Sequence, residues 1–184
     1  MFRSTRSRFL TAGAAGIAAA VVPMTAFAGS PGTGSVTTVV AATTLPGALT
    51  LTGVGANVAP SQTPGAFGSS IGATALTVAD LTGTNNGWAV TATYSDTSLP
   101  VGQLPLGAGN VQVSSTGVSG DAAAVVQTVT DAPLTTPVTV LTTATSGGLG
   151  VTVGTASLKV RVPTTAKVGD VYGGTVTYTV ASVR

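Results

Sequence analysis

Residues Ala75–Asp96 read ALTVADLTGTNNGWAVTATYSD. Their second half alternates: Trp88, Val90, Ala92 and Tyr94 fall on one side, Ala89, Thr91, Thr93 and Ser95 on the other. A period of two with one apolar side is the pattern of a half-buried β-strand. The first half, Ala75–Leu81, is a second strand candidate. Between them GTNNG supplies an Asn-Gly pair, whose easy access to positive φ suits a tight turn, so the stretch predicts a hairpin. Trp88, the sole Trp of the chain, starts the returning strand. Its two readings are a large plug for the interior and an aromatic contact surface.

The same alternation recurs outward from this stretch. Leu158, Val160 and Val162 oppose Ser157, Lys159 and Arg161; Val176, Tyr178 and Val180 oppose Thr175, Thr177 and Thr179. Further strand candidates are Ser35–Thr43, Ala48–Thr52, Asn110–Ser115, Ala123–Thr130, Pro137–Thr142 and Gly150–Thr155, separated by Gly, Pro and Asn. Val54–Ser70 reads as a long Gly/Pro/Ser loop. About nine to ten short strands with frequent turn signals predict an all-β fold, an antiparallel β-sandwich of the Ig-like, Greek-key type. Thr and Val favour pleated surfaces, and Glu is absent.

The N-terminus is read apart from the fold. Arg3, Arg6 and Arg8 precede the apolar run Phe9–Val22, and Ala26-Phe27-Ala28 has the small-x-small form of a cleavage site. Met1–Ala28 is therefore expected to be a secretory signal peptide, and Gly29–Arg184 the domain. Removing the signal takes three of the seven cations. Lys159, Arg161, Lys167 and Arg184 then face five Asp residues, and four minus five gives −1. No Lys/Arg cluster remains to suggest nucleic acid or a polybasic membrane contact. No apolar stretch after the signal is long enough to span a bilayer.

The chain has no His and no Cys. Without Cys there is no disulfide framework. A Ser-His-Asp or Cys-His apparatus cannot be assembled, and a zinc site lacks its usual ligands. Asp80 and Asp96 are the pair a glycosidase reading needs, yet turn capping accounts for them. Lys159 and Lys167 read as solubilising charges. The expectation is a protein that is not an enzyme, with no cofactor and no metal.

Two stretches resemble the signatures of WxL domains, surface domains of Gram-positive bacteria. LTVADLTGTNNGWAVTATYSD is similar to the first, in which a Leu-x-Val-x-Asp strand leads through a Gly-rich turn to Gly-Trp-x-Leu. SLKVRVPTTAKVGDVYGGTVTYTVAS, Ser157–Ser182, is similar to the second. Here the two Trp-x-Leu positions read Trp88-Ala89-Val90 and Tyr178-Thr179-Val180. The resemblance implies a secreted, extracellular protein of the cell wall that binds peptidoglycan or wall polysaccharide non-covalently, with Trp88, Val90, Tyr178 and Val180 as the expected binding residues and other surface proteins as further partners. The alternative is a structural subunit of a surface layer or fibre, joined through strand edges that lack Lys or Glu guards.

Overall fold

The computed structural model describes residues 33–40, 49–53, 65–68, 71–83, 86–97, 99–120, 124–125, 129–143 and 148–183. The expected signal peptide and most of the expected 54–70 loop lie outside them. The strands are β1 (Thr33–Val40), β2 (Leu49–Gly53), β3 (Ile71–Asp80), β4 (Trp88–Ser95), β5 (Leu104–Pro105), β6 (Val111–Gly120), β7 (Ala124–Val125), β8 (Ala132–Pro133), β9 (Val138–Thr143), β10 (Gly150–Val160) and β11 (Val171–Ser182). A 3-10 turn, Ala108–Asn110, leads into β6.

These strands form two sheets. The first runs β1-β11-β4-β9-β7, with β5 also paired to β11; the second runs β2-β3-β10-β6-β8. Pairing is antiparallel except for β1 and β5, which lie parallel to β11. The result is an all-β sandwich. Along β10, Thr152, Gly154, Ala156, Leu158 and Val160 are buried while the residues between them reach solvent. Leu76 and Val78 of β3, Val111 and Val113 of β6, Trp88, Val90 and Ala92 of β4, and Val176 and Tyr178 of β11 meet in the same interior. Each such buried aliphatic side chain contributes about 1.5–3 kcal/mol relative to its exposed state.

Two expectations need correction. The Ala75–Ser95 stretch is no hairpin: β3 lies in the five-stranded sheet and β4 in the six-stranded one. The 81–87 connection carries the chain from one layer to the other. Gly87, at φ 77°, makes the sharp entry into Trp88. A hairpin would place the apolar faces of β3 and β4 side by side, whereas here they face each other across the interior. Likewise, Gly150–Thr155 and the Leu158 run are one strand, β10, rather than two. Gly154 lies inside this strand, and Leu141 of β9 fills the space over it. A Cβ there would come within 2.5 Å of that leucine's methyl.

Among the described strands only β2 and β3 are both consecutive and paired. Two of the sheet edges, β7 and β8, are two residues long, which limits edge-to-edge association. Asp80 and Asp96 lie at opposite ends of the sandwich, since Asp80 closes β3 beside Gly148 and Gly87 while Asp96 follows the far end of β4. They form no catalytic pair.

Candidate functional site

The four residues expected to bind are gathered as the sequence pattern requires. Val90 is opposite Val180, Ala92 is opposite Tyr178, and Trp88 is opposite Ser182, on neighbouring antiparallel strands. Their role, however, is packing. Trp88, Val90 and Tyr178 are 0% exposed, and Val180 is half-buried against the same cluster. The indole N–H donates to the Gly148 carbonyl at 3.1 Å. The Trp88 backbone N–H donates to Thr143 Oγ1 at 2.9 Å, and Thr142 Oγ1 donates to the Trp88 carbonyl. Trp88 thus plugs one end of the sandwich and ties β4 to β9 and to the start of β10. The Tyr178 hydroxyl has no hydrogen-bond partner, and burial pushes its pKa up. An indole and a phenol without solvent-facing surface cannot stack on a sugar, so the surface-contact role expected for them is corrected to a core role.

Tyr94 shows a related device. Its ring lies over Gly174, where a Cβ would collide with the phenol, and its hydroxyl donates to the Gly173 carbonyl. Burial and then the nearby Asp96 push its pKa up to about 12, against the hydrogen bonds of Gly107 and Leu106. This glycine–aromatic pair fills a gap in the sheet that a larger residue on β11 would overfill.

The outward faces carry the polar chemistry. On the six-stranded sheet, Thr175, Thr177 and Thr179 pair with Ser95, Thr93 and Thr91, and Thr91 pairs in turn with Thr139. The result is a hydroxyl-bearing surface without charge. On the five-stranded sheet, the outward residues of β10 end in Lys159 and Arg161, beside Gln112 and Ser114 of β6.

Lys159 and Arg161 are held differently. Lys159 Nζ contacts Asp131 Oδ2 at 2.7 Å. Asp131, in the left-handed region at φ 51°, exchanges hydrogen bonds with Ser114, and Lys159 first and Ser114 second hold its carboxyl below the usual range. The lysine is neutralised. Arg161 is held by neutral groups instead: its Nε donates to Asn110 Oδ1 at 2.7 Å and its Nη2 to the Gly109 carbonyl at 3.3 Å. Asn110 is itself fixed, because its side-chain amide donates to the Leu106 carbonyl at 2.6 Å. The guanidinium carbon sits 4.7 Å from the centroid of Phe67, which pairs with Arg161, just past the end of β10, in an isolated antiparallel bridge. A guanidinium oriented by neutral acceptors and an aromatic face, with no described carboxylate paired to it, leaves spare N–H donors for a planar anion.

Among the described residues no group of acidic, His or Cys side chains could hold a metal ion, and no helix is long and apolar enough to cross a membrane. The sequence marks Arg161 only as an outward residue beside Lys159. Its partners Asn110 and Phe67 are remote in the chain, so no local spacing announces the trio. Comparison with protein-family models, curated proteins and solved structures finds no match.

Proposed function

We propose that this protein is a secreted, non-enzymatic component of the Gram-positive cell surface that binds wall peptidoglycan non-covalently, and that the outer face of the five-stranded sheet makes the contact. The observation that carries this reading is Arg161: a half-buried guanidinium fixed by Asn110 and Gly109, stacked on Phe67, with no carboxylate against it among the described residues. Peptidoglycan offers what such a site recognises, carboxylates on its stem peptides beside sugar hydroxyls and acetamido groups. The Thr and Ser hydroxyls along β6 and β10 both donate and accept, which suits a polyhydroxylated polymer. The similarity of Ala75–Asp96 and Ser157–Ser182 to the two WxL signatures supports the wall assignment, now with the aromatic positions as scaffold and the contact on the sheet exterior.

Co-sedimentation with purified wall sacculi tests it. A hydrogen-bonded charge contributes about 1.5–3 kcal/mol, so Arg161→Gln weakens binding by about ten- to a hundredfold while the fold persists. The remaining affinity loses its dependence on salt. Parent-like binding by Arg161→Gln would remove the ground for this site.

A further inference from the structure

We infer that the Arg161 site reads a single unamidated carboxylate, docked end-on across Nη1 and Nη2, and rejects the primary amide of the same stem-peptide carboxyl. This inference rests on the wall reading above and adds to it the chemical form of the ligand. It starts from the shape of the guanidinium. That planar group has two edges, each presenting a parallel pair of N–H donors: Nε with Nη2, and Nη1 with Nη2. In Arg161 the first edge is closed, because Nε donates to Asn110 Oδ1 at 2.7 Å and Nη2 to the Gly109 carbonyl at 3.3 Å. Among the described residues nothing engages the second edge. A ligand that takes a pair of hydrogen bonds therefore docks end-on.

Backbone pairing holds that edge in place. On one flank the Arg161 N–H donates to the Asn110 carbonyl. On the other, Gly65 N–H donates to the Val162 carbonyl and Gly68 N–H to the Val160 carbonyl. Phe67 is thereby the cross-strand neighbour of Arg161, and its ring lies 4.7 Å from the guanidinium carbon. Asn110 is anchored in turn by its side-chain amide, which donates to the Leu106 carbonyl. Held along one edge and over one face, the guanidinium has little freedom left to lose on binding.

The neighbours set the charge that the site accepts. Lys159, two residues back on the same face, is taken up by Asp131 at 2.7 Å. Gln112, opposite Lys159 on β6, is neutral. Arg161 is then the cation that no described carboxylate pairs, which matches one monoanion. A carboxylate brings two coplanar oxygens to the open edge, and each N–H finds an acceptor. A primary amide brings one oxygen, and its own NH2 meets the other N–H donor against donor. A site built on paired polar groups rejects the analogue that leaves one of them unpaired. Stem-peptide carboxyls occur both free and as primary amides, so this edge separates two chemical forms of one polymer. A phosphodiester also brings two oxygens, and the test separates it from the carboxylate.

Purified sacculi are stripped of phosphodiester-linked polymers with mild acid. The carboxyls of one half are then converted to primary amides with carbodiimide and ammonium. In co-sedimentation the full chain is expected to bind the amidated half about ten- to a hundredfold more weakly than the free-acid half. Stripping alone is expected to leave binding unchanged. Arg161→Gln is expected to bind both halves alike. Arg161→Lys keeps a cation without the parallel N–H pair, and is expected to favour the acid form less than the parent does. The acid–amide comparison uses the parent protein, so it does not depend on the folding of a variant. Equal binding of the parent to both halves, with Arg161→Gln weaker than the parent on the acid form, overturns the carboxylate inference and leaves the wall site in place. Arg161→Gln binding the acid form as the parent does removes the site itself. Binding lost on stripping overturns the carboxylate in favour of a phosphodiester, and an undiminished acid preference in Arg161→Lys overturns the end-on pairing.

Discussion

Replacing Trp88 separates a core residue from a contact residue. Its side chain has no exposed surface, and it donates a buried hydrogen bond to Gly148 at 3.1 Å. Truncation to Ala removes the apolar contact of the largest side chain in the interior and leaves a cavity at the sandwich end, a change that costs about 3–5 kcal/mol. For a domain of this size each kcal/mol shifts the midpoint by about 2–4 °C, so Trp88→Ala is expected to lower Tm by about 6–20 °C. Trp88→Phe keeps most of the packing and loses the N–H donor together with part of the ring. Its cost is about 1–3 kcal/mol. Far-UV circular dichroism against temperature measures both. The ordering Ala well below Phe, with both below the parent, follows from burial. A Trp88→Ala midpoint within about a degree of the parent would refute the reasoning, because no plug of that size leaves a packed interior at so small a cost.

The packing of Leu141 over Gly154 predicts that Gly154→Ala destabilises by about 1–3 kcal/mol through overfilling. The double variant with Leu141→Ala should lose less than the sum of the singles, a coupling readable in urea melts. With no His and no Cys, side-chain titration leaves stability flat through neutral pH. Above about pH 10 the unfolded chain releases phenol protons that the folded chain retains, because the Tyr178, Tyr172 and Tyr94 values are raised by burial. Stability therefore falls as pH rises. Tyr178 alone accounts for about 1.4 kcal/mol per pH unit, and half-buried Tyr94 adds a smaller, solvent-screened part; urea midpoints from pH 8 to 12 read this, and a constant midpoint would contradict it. Asp131→Asn removes the partner of Lys159 at a partly exposed site, so its small stability loss is expected to disappear in about 1 M salt. That contribution exists above the unfolded Asp value and is lost as pH falls through the lowered folded one, because Lys159 favours the ionised carboxyl.

The strands were legible wherever one face is apolar. The alternations of Trp88–Ser95, Leu158–Val162 and Val176–Val180 each reappear as inward and outward sides of β4, β10 and β11. The choice of layer for each strand was not legible. Asn86 and Gly87 signal a turn, but the same residues serve a two-residue hairpin or a crossing between sheets, and the difference depends on what lies opposite. The room that Gly154 makes for Leu141 was not legible either, because the residue packed over a glycine within a strand is remote in the chain. The short strands β5 and β8 pair two residues each and have no periodicity to detect. The binding question inverted the sequence expectation. Trp88 and Tyr178 are conspicuous in composition, yet they face inward. The Arg161 site is assembled from Phe67, Gly109 and Asn110, which come together only once β10 lies beside β6 and the Phe67 bridge.

One titration tests directly the proposal that this protein binds the wall through the sheet exterior and not through its aromatic interior. The chain carries a single Trp, so its emission and its quenching by acrylamide report on Trp88 alone. When sacculi are added until the protein is fully bound, the account predicts blue-shifted, weakly quenched emission identical with and without wall. A Trp88 that is quenched freely in the unbound protein and becomes shielded on binding would contradict it.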